Sequence, residues 1–350
     1  MHGASAQRSS PSVALIFAGG VGLGSYQAGA YAAVHDPLAS SKLWVAGSSI
    51  GATNAALIAG TRPDRRVEAL RSLWNCADQH PDLSRVPRVE RWQHLENWSS
   101  AIRARLLGSA GHFRPRAPLA WGGFKSLYDL APLRERIRAL VDFDRLNSGE
   151  VRVTVATTDV ESGELVLFDT ARGDRITIDH LMASCGYLPE FAPMEISGRL
   201  LGDGGLSANA PIEALLFEPP PQLTCFVIDL FARDGSRPRD LETALARKSD
   251  LTFANQTWLR LEAYCREQRL SSELQSLKGE RGTAATIYYL SYRPHPAEAG
   301  SERMFDYSER SLATRWRAGA ADMTHALAMD TGDAESIRLV PVRRADDLYL

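Results

Sequence analysis

Apolar runs and small-residue segments alternate along the first part of the chain. Val13–Ala18 is a short apolar run that opens into a glycine-rich loop, and Ser25–Val34 then has the character of a small-residue helix. Leu43–Ala46 is a second apolar run, and an alanine-rich helical segment follows at Ala52–Ala59. This order predicts two buried strands, each leading through a loop of small residues into a helix.

The alternation continues towards the C-terminus with one interruption. Predicted helices cover Val67–Cys76, Leu133–Val141, Leu241–Ser276 and Ser308–Met329, and predicted strands cover Val151–Thr157, Glu164–Phe168, Leu223–Leu230 and Thr286–Tyr292. Strands that alternate with helices favour an α/β fold with a mostly parallel sheet. The interruption at residues 80–123 combines prolines, arginines and tryptophans with weak periodicity. We interpret this segment as an inserted cap or a surface segment.

Composition excludes several classes of protein. The chain has 350 residues, 44% of them hydrophobic, with 40 Lys and Arg against 42 Asp and Glu, so it resembles an ordinary globular protein and gives no reason to expect nucleic-acid binding. The single cysteines Cys76, Cys185, Cys225 and Cys265 read as reduced, packed thiols. No apolar run approaches the length of a membrane span, and the polar start lacks a signal core. We therefore expect a cytoplasmic protein, with peripheral membrane association as the alternative.

A serine lies where the second strand meets its helix. Gly47-x-Ser49-x-Gly51 fits the nucleophile-elbow pattern, in which a strained turn exposes the serine hydroxyl at the start of a helix. Glycines two residues to either side avoid collisions with the neighbouring backbone. The alternative is an ordinary strand–turn–helix connection whose small residues only allow close packing, and the neighbouring Ser48 is expected to be structural.

The loop at Gly19–Gly24 does not fit a phosphate-binding pattern. The dinucleotide fingerprint requires a glycine where Ser25 or Gln27 stands, and a P-loop requires lysine after Gly24. A loop of small residues at a strand end can instead present backbone amides to an acyl oxygen, which suggests an oxyanion hole. The alternative is a tight turn without a ligand.

The base that would serve Ser49 is not an evident histidine. His295 and His325 have no supporting motif, and His180 is expected to be a helix-start or packing histidine. Asp203 stands out because it lies within Gly202–Gly205, and a carboxyl group in a desolvated pocket can have a raised pKa and act as a general base. The alternative is a simple Asp-Gly turn.

Taken together, these motifs resemble the patatin-like phospholipase family, in a bacterial branch with a C-terminal extension. The matching positions are Gly19-Gly20-x-Gly22-x-Gly24, Tyr26-Gln27-x-Gly29, Gly47-x-Ser49-x-Gly51-Ala52-x-Asn54-Ala55, Ala183-Ser184, Pro189, Phe191, Pro193, Asp203-Gly204-Gly205 and Asn209-x-Pro211, with Phe305-Asp306-Tyr307-Ser308 and Arg315-Trp316-Arg317-x-Gly319 in the extension. Order and spacing agree over Val13–Phe231. One departure is Val21, where the family usually has a third glycine; valine keeps its amide but disfavours a positive φ.

The resemblance implies a three-layer α/β/α fold and a Ser–Asp dyad that cleaves lipid acyl esters. It implies a flexible N-terminus at 1–12, a catalytic domain at 13–231, and a C-terminal extension at 232–350 packed on that domain. The implied residues are Ser49 as nucleophile, Asp203 as base, an oxyanion loop of Gly19, Gly20, Val21 and Gly22, and supporting glycines Gly47, Gly51, Gly204 and Gly205.

No cofactor or metal ion is implied, since the chain has no HExxH motif and no acidic calcium-binding loop. The expected partner is a lipid or another acyl ester. Two alternatives stay open: hydrolysis of a non-membrane ester or thioester, such as a hydroxyacid oligomer, and a catalytically weak acyl-binding scaffold, which Val21 motivates. The segment Trp92–Trp121 is either a lid or lipid contact, or a solvated cap packed on the core.

Overall fold

The structure is a computed structural model that describes residues 12–75, 90–116, 126–216, 222–279, 284–294, 300–329 and 337–343. The helices are α1 Ser25–Val34, α2 Ile50–Ala59, α3 Arg66–Trp74, α4 Glu90–Leu107, α5 Ala131–Leu140, α6 Phe143–Leu146, α7 Ile178–Ser184, α8 Leu241–Leu277 and α9 Glu309–Ala328. The strands are β1 Ser12–Phe17, β2 Lys42–Ser48, β3 Arg114–Pro115, β4 Tyr128–Asp129, β5 Arg152–Asp159, β6 Leu165–Asp169, β7 Met194–Ile196, β8 Arg199–Asp203, β9 Gln222–Asp229, β10 Ala284–Ser291 and β11 Ile337–Pro341. The predicted flexible N-terminus lies outside these residues, apart from position 12.

A single sheet in the order β11-β10-β9-β1-β2-β5-β8-β7 forms the centre of the molecule, and β6 also pairs with β5. The strands from β11 to β5 are parallel, whereas β6, β8 and β7 are joined by antiparallel pairing. The mostly parallel α/β prediction is therefore confirmed. Strands β10 and β11, which follow residue 231 in the chain, extend the same sheet that holds β1 and β2.

Both faces of β1 are covered, which explains why this strand is a continuous apolar run. Val13, Leu15 and Phe17 belong to one buried cluster, which also includes side chains of α1 and α2. Ala14 and Ile16 belong to a second cluster, which includes side chains of α8. Successive side chains of a strand point to opposite faces of the sheet, so each cluster lies between the sheet and one of the two helical layers of a three-layer fold.

Two helices that are far apart in sequence pack at backbone distance. A Cβ atom at Gly29 in α1 would lie 1.9 Å from the carbonyl oxygen of Trp316, and one at Gly319 in α9 would lie 1.8 Å from that of Tyr26. The hydroxyl of Tyr26 also donates to Asp322 Oδ2 at 2.7 Å. Helix α9 therefore braces α1, the helix that follows the glycine loop.

The predicted insert at 80–123 is described in part. Its helical piece is α4, which includes the expected segment from Trp98 to Leu107. Ala104 of α4 packs in a buried aromatic cluster with Phe113 and Phe305, whereas the side chain of Trp98 is 45% exposed. One side of the helix thus covers the core while the other side faces solvent.

Candidate active site

The pairing of the strands brings the two predicted catalytic residues, Ser49 and Asp203, to the same edge of the sheet. Parallel β2 and antiparallel β8 flank β5, so residues that pair with neighbouring positions of β5 come close together in space. The relevant pairs are Phe17 with Gly47, Ser48 with Ala156, and Thr157 with Asp203. The glycine loop after β1, Ser49 after β2 and Asp203 at the end of β8 therefore meet at the same edge.

Ser49 occupies a strained turn immediately before α2. Its φ is 56° and its ψ is −127°, a conformation that a residue with a side chain rarely adopts. Its amide donates to Ser184 Oγ at 2.8 Å, and the Ser184 hydroxyl donates to the carbonyl of Ala156 at 2.7 Å. Ser184, whose role the sequence did not reveal, therefore anchors the elbow to β5.

The glycines around Ser49 are required by close backbone approach. A Cβ atom at Gly47 would lie 2.3 Å from the carbonyl carbon of Gly51, and one at Gly51 would lie 2.3 Å from the carbonyl oxygen of Phe17. Neither contact can be relieved by a flexible side chain. The adjacent Ser48 donates from its hydroxyl to the carbonyl of Ala208 at 2.8 Å, so it plays the structural part that was expected.

Asp203 is buried against Ser49. Its side chain is 2% exposed, accepts a hydrogen bond from the Ser49 hydroxyl, and accepts the Gly205 amide at 2.7 Å through Oδ1. Burial raises the pKa of Asp203 to about 7, although both hydrogen bonds act in the opposite direction. A carboxyl group with such a pKa exists in both protonation states near neutral pH, as a general base requires.

The thiol of Cys185 lies next to the same pair but is not an alternative nucleophile. Burial raises its pKa to about 12, and the Asp203 carboxylate acts in the same direction. The thiol therefore stays protonated near neutral pH, and a protonated thiol is a poor nucleophile. Cys225 and Cys265 are also buried and free of disulfides, whereas Cys76 lies outside the described residues.

Asn209 anchors the start of the glycine loop through two hydrogen bonds. The Gly19 amide donates to the carbonyl of Asn209 at 3.0 Å, and the Asn209 side chain donates to the carbonyl of Gly19 at 3.2 Å. The amides of Val21 and Gly22 open a short 3-10 helix, Val21–Gly24, and the first amides of a helix have no carbonyl within it to bind. Gly19 thus fixes the loop, and the amides that follow it are placed to donate.

Val21 takes the backbone conformation that glycine would take easily. Its φ is 51°, in the left-handed region, which costs a residue with a side chain about 1–2 kcal/mol. Val21 therefore keeps the left-handed turn, although the family usually has a glycine at this position.

Several of the remaining motif residues form a buried polar network. Gln27 donates to the carbonyl of Ala18 at 2.7 Å, and Asn54 donates to the carbonyl of Gly24 at 3.0 Å and to Gln27 at 3.1 Å. Trp74 completes the network by donating to Asn54 at 3.0 Å. These bonds tie both ends of the glycine loop to α1, α2 and α3.

The C-terminal region reaches the glycine loop through Arg315. This guanidinium is fully buried and donates to three backbone carbonyls: that of Gly22 at 3.1 Å, that of Asp306 at 2.8 Å and that of Arg303 at 2.9 Å. A Cβ atom at Gly22 would also lie 2.8 Å from the carbonyl oxygen of Met304. The conformation of the loop therefore depends on residues almost 300 positions away in sequence, which its local pattern does not reveal.

Ser49 and Asp203 line one pocket. Its walls are mainly apolar and aromatic, and include Phe191, Phe231, Phe253, Met304 and Phe305. Three of these five lie beyond residue 231, in the predicted C-terminal extension. A concave, mostly apolar pocket with a few convergent polar groups is typical of a small-molecule site.

No histidine of the described residues lines this pocket. His180 accepts the Thr177 amide at 3.0 Å in a capping box at the start of α7, which confirms the expected helix-start role. His325 is exposed on α9, and His112 is buried between Trp74 and Tyr307. His295 lies outside the described residues.

Two general features of the described residues bear on chemistry. They contain no group of three or more His, Cys, Asp or Glu side chains that could hold a metal ion. Their helices include none that is both long and apolar enough to cross a bilayer.

Comparison with known proteins identifies the family. The family model of the patatin-like phospholipases matches residues 15–216, which is more than half of the 350-residue chain. The chain therefore belongs to the patatin-like phospholipase family, which at family level makes it a hydrolase of lipid esters. No curated protein matches it.

The solved structures that it resembles are distant. VipD from Legionella pneumophila is 13% identical, with a TM-score of 0.37, and the match covers 88% of this chain and 67% of VipD. The ExoU–SpcU complex from the type III secretion system of Pseudomonas aeruginosa is 14% identical, with a TM-score of 0.32, and the match covers 89% of this chain and 52% of that one. The chain thus spans about two thirds of one and half of the other.

Proposed function

We propose that this protein is a serine acyl hydrolase that cleaves lipid acyl esters through a Ser49–Asp203 dyad and an acyl-enzyme. The observation that carries the proposal is the placement of Ser49, on its strained turn, in one pocket with the buried carboxyl group of Asp203, whose pKa is raised to about 7. Among the described pocket-lining residues, the strained elbow supplies the nucleophile and no histidine competes with Asp203 as its base.

In the first half-reaction, Asp203 accepts the Ser49 proton while Oγ attacks the ester carbonyl carbon. The oxyanion that forms accepts hydrogen bonds from the amides of Gly20, Val21 and Gly22, which require no reorganisation because the loop is already fixed. The tetrahedral intermediate collapses as the carbon–oxygen bond to the alcohol breaks. Protonated Asp203 returns its proton to the departing alcohol, which leaves an ester on Ser49.

In the second half-reaction, water replaces the alcohol. Asp203 takes a proton from the water as its oxygen attacks the acyl carbon, and the same amides hold the second oxyanion. The acyl–Ser49 bond then breaks, Ser49 regains its proton from Asp203, and a carboxylic acid leaves. The helix α2 that begins at Ile50 presents its positive end to the developing negative charge in both steps.

The described part of the predicted insert offers an approach for lipid. Leu106 and Leu107 of α4 are 69% and 73% exposed, and Arg105 of the same helix packs against the pocket-lining ring of Phe305. We propose that this end of α4 makes peripheral contact with a lipid surface. Sedimentation with phosphatidylcholine vesicles should be weaker for the Leu106→Ser, Leu107→Ser double variant than for the wild type; equal sedimentation would refute the contact.

A hydrolysis panel tests the proposed function. p-Nitrophenyl esters, phospholipids and lysophospholipids should be cleaved by the wild type, whereas Ser49→Ala and Asp203→Asn should lose about 10³-fold or more in kcat. Asp229→Asn is a matched control, because Asp229 is also fully buried with a pKa raised to about 7 but does not line the pocket. Full activity in Ser49→Ala would refute the dyad.

The same panel separates the open alternatives. Cleavage of soluble thioesters or hydroxyacid oligomers without cleavage of any lipid would favour a non-membrane substrate served by the same dyad. A folded wild type that binds a fatty acid but cleaves nothing in the panel would favour the acyl-binding scaffold.

A further inference from the structure

One charged side chain in the pocket has no part in the proposed hydrolysis. Among the described lining residues, Glu190 and Asp203 carry the only formal charges, and no lysine, arginine or histidine accompanies them. Glu190 Oε2 is shielded from solvent and has no hydrogen-bond partner within the described ranges. Glu190 has no signal in the sequence, because it lies between the motif positions Pro189 and Phe191 without belonging to the pattern.

The backbone holds Glu190 firmly at the pocket wall. Its carbonyl accepts the Tyr128 amide at 2.9 Å, and the Phe191 amide donates to the carbonyl of Tyr187 at 2.8 Å. The Glu190 carboxylate is close enough to Tyr187 to add to the effect of burial in raising the pKa of that phenol. The backbone of Glu190 therefore belongs to a fixed part of the pocket wall.

Two arginines that lie against rings of the pocket wall are already paired. Arg105 lies 4.0 Å from the ring of Phe305 and forms an ion pair with Glu302. Arg303 lies 6.0 Å from the ring of Phe231 and forms an ion pair with Asp250. Neither guanidinium is bonded to the shielded oxygen of Glu190.

Aromatic rings surround the same space. The rings that line the cavity with Glu190 are Tyr187, Phe191, Phe231, Phe253 and Phe305. Faces of aromatic rings attract alkylammonium cations, and such cages with a carboxylate are suited to quaternary ammonium groups. One oxygen of the Glu190 carboxylate is shielded and without a hydrogen-bond partner in the described part of the chain, and a bound cation would satisfy it.

We propose that Glu190 and the surrounding rings form a subsite for a quaternary ammonium group, so that the preferred substrates are esters with a choline-like head group. The proposal rests on the proposed function, because it assigns part of the substrate of that same site. The cation would offset the charge of Glu190 and contact the ring faces. Anionic head groups would meet two carboxylates and no cation of the lining.

A pair of carbon isosteres isolates the charge. Choline and 3,3-dimethyl-1-butanol have nearly the same shape, but only choline is a cation. As competitive inhibitors of p-nitrophenyl butyrate hydrolysis, choline should bind the wild type about tenfold more tightly than the neutral alcohol. Equal inhibition by the two compounds would overturn the proposal without any variant.

Two variants assign the preference to one side chain. Glu190→Gln keeps the shape and removes the charge, so the choline preference should fall about fivefold or more. Glu195→Gln is the matched control, because Glu195 lies on nearby β7 but is exposed and outside the pocket, and it should keep the wild-type ratio. A choline preference that survives Glu190→Gln would overturn the assignment.

Two further arms identify the source of the cation and separate the two proposals. Wild-type kcat/KM is compared for butyrylcholine against 3,3-dimethylbutyl butyrate, and for lysophosphatidylcholine against lysophosphatidylglycerol. A larger ratio in the first comparison identifies a simple choline ester as the substrate, and a larger ratio in the second identifies a phosphocholine lipid. A ratio of one in both comparisons overturns the subsite. If no ester is cleaved, the proposed function fails, yet calorimetry with choline and its isostere still decides the subsite.

Discussion

The pH dependence of ester hydrolysis should report the ionisation of Asp203. The perturbation is a change of pH from 8 to 5 at constant ionic strength. Asp203 is 2% exposed, and its burial raises its pKa to about 7, against hydrogen bonds from Ser49 and Gly205 that lower it. Only the ionised carboxylate can accept the Ser49 proton, so kcat/KM should follow the ionised fraction.

The expected change is large enough to exclude an ordinary carboxylate. With a pKa near 7, about nine tenths of Asp203 is ionised at pH 8, half at pH 7, and about one tenth at pH 6. The value of kcat/KM should therefore fall about tenfold from pH 8 to pH 6 and about tenfold again by pH 5. A carboxylate with the usual pKa near 4 would leave the rate almost constant over this interval.

The assay measures kcat/KM with p-nitrophenyl butyrate, and each sample is brought to one alkaline pH before absorbance is read so that the product is always ionised. Asp229→Asn provides the control, because this second buried carboxyl group also has a pKa raised to about 7 but lies outside the pocket lining. Its profile should match that of the wild type. A wild-type profile that stays flat from pH 8 to pH 5, or a fall that disappears in Asp229→Asn, would refute the reasoning.

Three other variants test the remaining parts of the account. The folded pKa of Asp203 lies above its unfolded value, so its stabilising contribution is present below about pH 4 and is lost as pH rises to 7. In chemical denaturation, the stability of Asp203→Asn relative to wild type should therefore increase by about 2–3 kcal/mol from pH 5 to pH 8. A constant difference would contradict the raised pKa. A lysine at position 315 cannot bind all three carbonyls that the guanidinium binds, so Arg315→Lys should lower kcat about tenfold with little change in KM. The control Arg317→Lys, at an exposed position of the same helix, should behave as wild type. Equal rates for the two variants would contradict the role of Arg315 in holding the glycine loop. Gly19→Ala places a Cβ atom 2.9 Å from Asn209 Oδ1, so kcat should fall about tenfold or more. Circular dichroism should show that this variant is folded. An unchanged kcat would show that the glycine loop tolerates displacement.

The elements that depend on local pattern could be predicted from the sequence. Helix α1 lies at Ser25–Val34 as predicted, and the strand–loop–helix order around Ser49 is found in the structure. These elements are visible because continuous apolar runs and small residues mark fully buried strands and close packing. The strained turn at Ser49, with a φ of 56°, lies where the Gly47-x-Ser49-x-Gly51 pattern predicts it, although the same spacing also fitted a turn whose small residues only allow close packing.

The hairpin that carries Asp203 was missed as a pair of strands. Strands β7 and β8 are short and mix polar with apolar residues, so their periodicity is weak. Their turn is formed by Ser197 and Gly198, with φ values of 52° and 77°, and a serine at the first position is an uncommon signal for such a turn. Asp203 was therefore singled out by its glycines rather than by its place on a strand.

The contacts that complete the site are long-range and have no local signal. Arg315 was noticed only as part of a pattern of unknown role, because its partners Gly22 and Asp306 are defined by tertiary packing. Phe253 and Phe305 reach the pocket from α8 and from the segment before α9. Which side chains of a C-terminal region face a cavity is decided by helix packing, and a single sequence does not specify that.

Covalent labelling tests the central claim most directly. A fluorophosphonate probe reacts with an activated serine hydroxyl, and peptide mass spectrometry locates the adduct. The wild type should carry one adduct on Ser49, Ser49→Ala should carry none, and Asp203→Asn should be labelled at least about 10²-fold more slowly because its amide cannot accept the proton. Absence of labelling in a folded wild type, or an adduct on another residue that persists in Ser49→Ala, would contradict the assignment of Ser49 as an activated nucleophile.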